Sequence, residues 1–408
     1  MREILPLLFA LTTAASAQQQ AYRFGHVWDG EKLLANAVVT VENGRIVRVE
    51  AASTAASSVT GARDMTRYTA IPGLIDVHTH MTYVLPASLN KIAQPARSAA
   101  AVYLARENAR KTLETGVTTV RDLGARDYQD IAMRDLINQG AMPGPRMFVA
   151  GYGLMISRGP SPGPGTADGP AEVMKIVRLQ SAAGADVIKM YGSTGSGQDV
   201  TGFETFTYEE MKAAVDAAHA LGKRIAIHTY GPAGARDAIR AGTDSLEHST
   251  DMDDATIAEL ARRRIVYVPT IDHNRYYVDN AKLLGYPPGA TEPLNDFIAR
   301  NLETARRAFK AGVRFAMGSD AVYTMFGENT RELRWFVKAG MTPEQALRAA
   351  TTEGAALLGM EEKLGRLKPG AFADIVAVEG DPLQDIEVVI QKVRWVMKGG
   401  EVVVDKTK

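Results

Sequence analysis

Between Ile71 and Leu358 the chain alternates short apolar stretches of strand character with helix-patterned stretches, eight times in succession. The strand segments are Ile71–Val77, Thr118–Arg121, Arg146–Ala150, Val187–Met190, Arg224–Ile227, Ser245–Leu246, Ile265–Val268 and Arg314–Met317. Ser98–Thr115, Tyr208–Leu221, Ala255–Arg263 and Asn295–Ala311 carry helical patterns between them. Repeated strand-then-helix units with short apolar strands imply parallel pairing. Eight units over roughly 280 residues fit a closed (β/α)8 TIM-like barrel, usually ~250 residues long. A doubly wound open sheet is the alternative. It prefers a glycine-rich phosphate turn after its first strand, and none is present.

The flanks read differently. Tyr22–Trp28, Ala37–Glu42 and Arg45–Glu50 are β-rich, and Asn43-Gly44 is a two-residue hairpin signal. The tail repeats the pattern with Ile375–Val378, Val388–Met397 and Val402–Val404, turning at Gly399-Gly400. The two ends are therefore expected to pair into one small β-sandwich, residues 18–70 and 359–408, with the barrel over 71–358 inserted between them. Residues 1–17 read as a signal peptide: a basic start, an apolar run from Ile4 to Ala15, and the small-residue site Ala15-Ser16-Ala17. The mature chain is expected to be exported, periplasmic or secreted, with no membrane span. The 47 Lys+Arg balance the 47 Asp+Glu, so nothing calls for a nucleic-acid partner. With no cysteine, thiolate metal sites, disulfides and thiol nucleophiles are excluded, and any metal must be held by nitrogen and oxygen.

His78-Thr79-His80 ends the first barrel strand. Residues i and i+2 of a strand point the same way, so both imidazoles can face the mouth as a metal clip. His228, His248 and Asp320 recur at the ends of the fifth, sixth and eighth strands, so five ligands converge on one rim. Lys189 ends the apolar fourth strand. A buried ammonium is costly; it either snorkels to solvent or, as the free amine, adds carbon dioxide to give a carbamate (N6-carboxylysine) that bridges two cations. Arg158–Pro170 and Gly192–Gly202 are glycine-rich loops leaving the carboxyl ends of strands, the active-site face of barrel enzymes.

Together, Pro72–His80, Lys189, His228, His248 and Gly318–Asp320 resemble the binuclear metal-dependent amidohydrolase superfamily. Gly116–Asp122, Thr342–Leu347 and Leu364–Val376 extend the likeness over nearly the whole mature chain. The pattern is most similar to the imidazolonepropionase-like branch, which includes exported Xaa-Pro and Xaa-Arg dipeptidases and ochratoxinase. The resemblance implies that His78 and His80 hold a more buried metal and His228 and His248 a more exposed one. Carbamylated Lys189 would bridge them, and Asp320 would ligate the buried ion and carry protons. It implies two divalent ions, zinc by ligand type, and attack of a metal-bridging hydroxide on an amide carbonyl. Imidazolonepropionase has one metal and no bridging lysine, so Lys189 shifts the expectation towards the dipeptidases.

Further residues have two readings each. Tyr230 and Tyr191 lie two positions beyond His228 and Lys189 and face the same way. Tyr230 either donates to the developing oxyanion or packs under the rim. His273 is expected on a loop over the mouth, touching substrate or simply exposed. His219 and His26 read as structural. Met325-Phe326 replaces a histidine-bearing stretch of relatives, so Phe326 is expected to wall the substrate site. The expected substrate is a small molecule, a dipeptide or N-acyl amino acid such as an ochratoxin-type amide, and the chain is expected to be a homo-oligomer. Cyclic amide hydrolysis or deamination is the alternative chemistry, and a metal-free binding protein the alternative class.

Overall fold

In the computed structural model, residues 19–54, 61–84, 98–157, 163–197 and 199–407 are described. Residues 1–17, expected to be a signal peptide, fall outside them. Among the described residues four strands come first: β1 (Gln20–Trp28), β2 (Leu33–Glu42), β3 (Arg45–Ala51) and β4 (Arg63–Pro72). Eight parallel strands follow: β5 (Leu74–Thr79), β6 (Val117–Asp122), β7 (Arg146–Val149), β8 (Val187–Tyr191), β9 (Arg224–Thr229), β10 (Ser245–His248), β11 (Val266–Val268) and β12 (Arg314–Phe315). The chain ends in β13 (Ile375–Val378), β14 (Val393–Lys398) and β15 (Glu401–Asp405).

The parallel strands form two arcs, β5-β6-β7 and β8-β9-β10-β11-β12. Hydrogen bonds link the arcs on both sides. Leu154, just past β7, donates to the Lys189 carbonyl (2.8 Å) and accepts from Tyr191 N (3.0 Å). Past β12, Asp320 N donates to the His78 carbonyl (2.7 Å) and His80 N to that of Ala321 (3.1 Å). Helices α1 (Ser98–Glu114), α2 (Gln129–Asn138), α3 (Pro170–Ala183), α4 (Tyr208–Ala220), α5 (Pro232–Ala241) and α6 (Asp254–Arg262) each join successive strands; α7 (Ile271–Asp279) and α8 (Glu292–Lys310) both lie between β11 and β12. Local chemistry fixes their ends. Thr207 and Glu210 form a capping box on α4, and α3 starts at Pro170 and stops at left-handed Gly184. Their inner faces pack on the strands in one apolar cluster.

The end strands form a single mixed sheet, β15-β14-β13-β4-β1-β2-β3. Trp395 on β14 lies 5.1 Å, centroid to centroid, from Tyr22 on β1. Three strand spacings would separate them by about 14 Å in a flat sheet, so the sheet coils and buries its own face around Trp395.

Two segments differ from expectation. Ile71–Val77 is not one strand: β4 ends at Pro72 and β5 begins at Leu74. Gly73 is the pivot, because a Cβ there would lie 2.2 Å from Thr118 Oγ1 and 2.8 Å from Asp374 Cβ. Asp374 also receives Arg146 (2.7 Å) and Thr118 (3.0 Å), tying the end sheet to β6 and β7. Val388–Gln391 is a helical turn, Glu387–Gln391, and not the start of β14. Asp385 accepts from Glu387 N (2.9 Å), and burial of Val388 and Val389 overrides their β-propensity.

Candidate metal centre

His78, His80, Lys189, His228, His248 and Asp320, from five strand ends, meet at the carboxyl end of the parallel strands, and all are buried. The ring centroids of His78 lie 5.6 Å from His80 and 4.9 Å from His248, and those of His228 and His248 4.5 Å apart. Two of the six sit in the left-handed region, His248 at φ 70° and Asp320 at φ 52°. Such backbone costs on the order of 1–3 kcal/mol per residue and persists where the surroundings over-determine it.

Hydrogen bonds set the imidazole tautomers. His78 donates from Nδ1 to Glu247 Oε2 (2.8 Å), His80 from Nδ1 to the Gly124 carbonyl (3.0 Å), and His273 from Nδ1 to the Asp320 carbonyl (2.8 Å). A carbonyl or carboxylate only accepts, so each Nε2 is left with a lone pair. Those lone pairs converge on Asp320: His80 Nε2 is 3.3 Å and His78 Nε2 3.6 Å from Oδ1, and His273 Nε2 is 3.3 Å from Oδ2. His78, His248 and Asp320 bring ligand atoms within 4.8 Å of one another. The buried His228 Nε2 has no hydrogen-bond partner. Lone pairs aimed at a carboxylate repel unless a cation or shared proton intervenes. This donor set fits divalent metal.

Burial sets the charges. It lowers His78 to about 4 and takes His228 and His248 well below their ordinary values, which keeps all three imidazoles neutral. For His80, burial is outweighed by the Asp320 carboxylate, and the net shift is upward. Burial lowers Lys189 to about 8 against the pull of Glu247 and Asp320, with Nζ 3.4 Å from His78 Nε2. Burial alone would raise Asp320; His273, His78 and His80 outweigh it and hold it well below the carboxylate range.

The cluster floors a cavity of about 680 Å³ lined also by Tyr191, Tyr230, Tyr277 and the Ser193–Gly197 segment. The glycine-rich loop after β8 thus lies where expected. The loop after β7 is described only from Gly163 onward. Burial pushes Tyr191 and Tyr230 well above 10, so both stay neutral donors. The Tyr230 ring packs as one of its readings expects, stacked on Phe297 (4.8 Å), and its buried hydroxyl has no hydrogen-bond partner. His219 is an outer residue bonded to Asp244 (2.9 Å), and His26 is exposed on β1.

Two expectations are corrected. His273 is not on an exposed loop. It is buried in the first turn of α7, whose free Ile271 and Asp272 N–H groups donate to Glu332 (2.9 and 2.8 Å). Phe326 does not wall the cavity. It is 2% exposed and packs into the main apolar core, while Val322 and Tyr323 line the cavity in its place. The sequence reading also missed Glu247 and Arg121. Both are fully buried inside the strands, and Glu247 joins His78 to Arg121 Nη2 (2.9 Å). The available signal was a charged residue inside each apolar strand, in Val-Thr-Thr-Val-Arg-Asp and Ser-Leu-Glu-His.

The sequence profile of the amidohydrolase family matches residues 69–403. Ochratoxinase of Aspergillus niger is 32% identical over 368 residues, covering 81% of this chain and 75% of the relative. The structure of A. niger ochratoxinase superposes with a TM-score of 0.82 at 27% identity, covering 96% of each chain. A Xaa-Pro dipeptidase with methionine bound in its active site superposes with a TM-score of 0.86 at 30% identity, covering 94% of this chain and 99% of that one. Imidazolonepropionase of Streptomyces coelicolor is 31% identical over 188 residues, 43% of this chain and 40% of the relative.

Proposed function

The chain belongs to the amidohydrolase family and is a hydrolase of amide bonds, and from that premise we propose that its substrate is a linear amide beside a free carboxylate, in a dipeptide or an N-acyl amino acid. The observation that carries the proposal is the convergence of imidazole lone pairs and Asp320 beside a buried, depressed lysine. In this reading His78, His80 and Asp320 would hold one divalent ion and His228 and His248 a second. Lys189, as a carbamate formed when its neutral amine adds carbon dioxide and loses a proton, would add an anionic oxygen ligand to them. Bound there, the ions, zinc by donor type, supply Lewis acidity that polarises the scissile carbonyl and makes water acidic enough to attack at neutral pH.

The chain's own groups do the rest. Asp320, an anion by its histidine surroundings, accepts the proton of the attacking water and delivers it to the departing amine. His273 holds Asp320 through its backbone carbonyl and faces the carboxylate, fixing the orientation in which that proton moves. Tyr230 presents a buried, neutral hydroxyl to the cavity, where it donates to the carbonyl oxygen as negative charge develops.

The scaffold is proposed as a closed (β/α)8 barrel, supported by the hydrogen bonds joining the arcs on both sides. The coiled end sheet is proposed as a β-sandwich domain built from both ends of the chain. Export through the N-terminal segment is part of the same proposal. Among the described residues, no helix is long and apolar enough to cross a membrane.

The test is a hydrolysis panel of N-acyl-phenylalanines and Xaa-Pro dipeptides beside cyclic imides, read by mass spectrometry. Turnover of the free acids supports the reading. Turnover of the imides alone replaces it with cyclic amide hydrolysis on the same residues.

A further inference from the structure

A cavity of about 340 Å³ opens at the amino ends of β9, β10, β11 and β12, the end of the parallel strands opposite the candidate metal centre. Arg224, Arg263, Arg264 and Arg314 line it beside one carboxylate, Asp244. Asp244 Oδ2 accepts from His219 Nε2 (2.9 Å) and Ile225 N (2.8 Å). Glu259 pairs with Arg263, and Glu353 with Arg314 (2.7 Å). With those two carboxylates counted, the cations are still in excess. Arg224 donates to a neutral acceptor, the Ala356 carbonyl (2.9 Å). Among the described residues, Arg264 makes no side-chain hydrogen bond or ion pair.

Arg264 is also held in a strained backbone. Helices α1 to α6 and α8 each lead into the next parallel strand through a residue of positive φ. After six of them that residue is a glycine: Gly116, Gly140, Gly184, Gly222, Gly242 or Gly312. After α6 it is Arg264, at φ 58°. Glycine takes this conformation freely, and a residue with a Cβ takes it at a cost. Such strain persists most often at functional sites, and here it stands on the cavity lining.

We propose that this cavity binds a phosphoryl group, as the free ion or as a small monoester. A guanidinium fork matches phosphate oxygens in paired hydrogen bonds. Arg224 and Arg264 are the two guanidiniums that no carboxylate offsets, and together they balance a dianion. A phosphoryl group approaches that charge at neutral pH, whereas a single carboxylate does not. No aromatic residue lines the cavity, so a nucleobase finds no ring to stack on there.

The experiment is calorimetric titration of zinc-loaded protein with inorganic phosphate and with glycerol 3-phosphate at low ionic strength, with acetate as the control anion. Wild type is compared with Arg264→Gly, Arg264→Lys and Arg224→Gln. Arg264 is exposed, and glycine relieves its backbone, so Arg264→Gly is expected to melt at or above the wild-type temperature. Wild type is expected to bind one phosphoryl ligand per chain that Arg264→Gly and Arg224→Gln bind about tenfold or more weakly. Arg264→Lys is expected to recover part of the loss. Phosphate reaching the zinc ions would bind wild type and variants alike, so the difference belongs to this cavity. The relative affinity of the two phosphoryl ligands tells the free ion from the ester. Affinity in Arg264→Gly or Arg224→Gln equal to that of wild type, or acetate bound as tightly as phosphate, overturns the proposal.

Discussion

Glu247→Gln probes the support beneath the proposed metal ligands. Glu247 is fully buried and accepts from His78 Nδ1, Arg121 Nη2 and Ser245 Oγ. Glutamine keeps the shape but turns one acceptor into an NH2 group, which then faces either the His78 N–H or the Arg121 guanidinium. It also leaves Arg121, 1% exposed, without its counter-charge. Breaking one partner of a buried pair costs about 3–5 kcal/mol. The carboxyl agrees: although burial alone would raise it, Arg121 and His78 hold it at about 2 against an ordinary 4.5, worth about 3 kcal/mol. Because the folded value is depressed, this stabilisation is complete above 4.5 and fades as pH falls towards 2. Urea denaturation of the metal-free variant is therefore expected to show a loss of about 3 kcal/mol at pH 7 that shrinks in acid. Zinc affinity is expected to fall about 10–100-fold as His78 loses its orienting acceptor. A variant within about 1 kcal/mol of wild type at pH 7, a scale set by an ordinary hydrogen bond, with undiminished zinc affinity, would refute the reasoning.

Three substitutions and one pH profile separate the remaining roles. Lys189→Ala is expected to abolish activity and lower metal content, with partial rescue by acetate or propionate; full activity with both metals retained ends the carbamate proposal. Lys189 titrates near 8 instead of 10.5, so its free amine rises about tenfold per unit up to pH 8. Reactivation of metal-free protein at fixed dissolved CO2 should follow that rise and level off above it. Asp320→Asn should lower kcat far more than it changes KM, because a proton carrier acts in the transition state; a change in KM alone would make it a positioning residue. Phe326→Ala should cost about 3–5 kcal/mol in stability while leaving the substrate preference of the folded enzyme unchanged, and an altered preference would return Phe326 to the cavity wall.

Strand-end chemistry was legible because it is local. The two-residue period that places His78 and His80 on one side needs no tertiary knowledge, and the same holds for histidines at the ends of β9 and β10. What escaped depends on partners far away in sequence. Helix α7 begins with Ile-Asp-His-Asn-Arg, which carries no apolar stripe; its N-terminus is held by Glu332, sixty residues on. His273 therefore read as a loop residue until that carboxylate was in place. Glu247 and Arg121 are not legible from sequence, because a charged residue inside an apolar strand gains meaning only from the residue it faces across the interior. Phe326 misleads for the reverse reason: an aromatic after a strand end looks like a cavity wall, and only packing shows it turned into the core.

Two metal ions serving one amide carbonyl is the centre of the account, and the most direct measurement is a zinc titration. Metal-free protein in bicarbonate receives zinc in sub-stoichiometric steps, and the initial rate of N-acyl-phenylalanine hydrolysis is recorded after each. With two ions needed per site, the rate is expected to reach its plateau at two equivalents per chain. A plateau at one equivalent, or a rate indifferent to zinc, would contradict it.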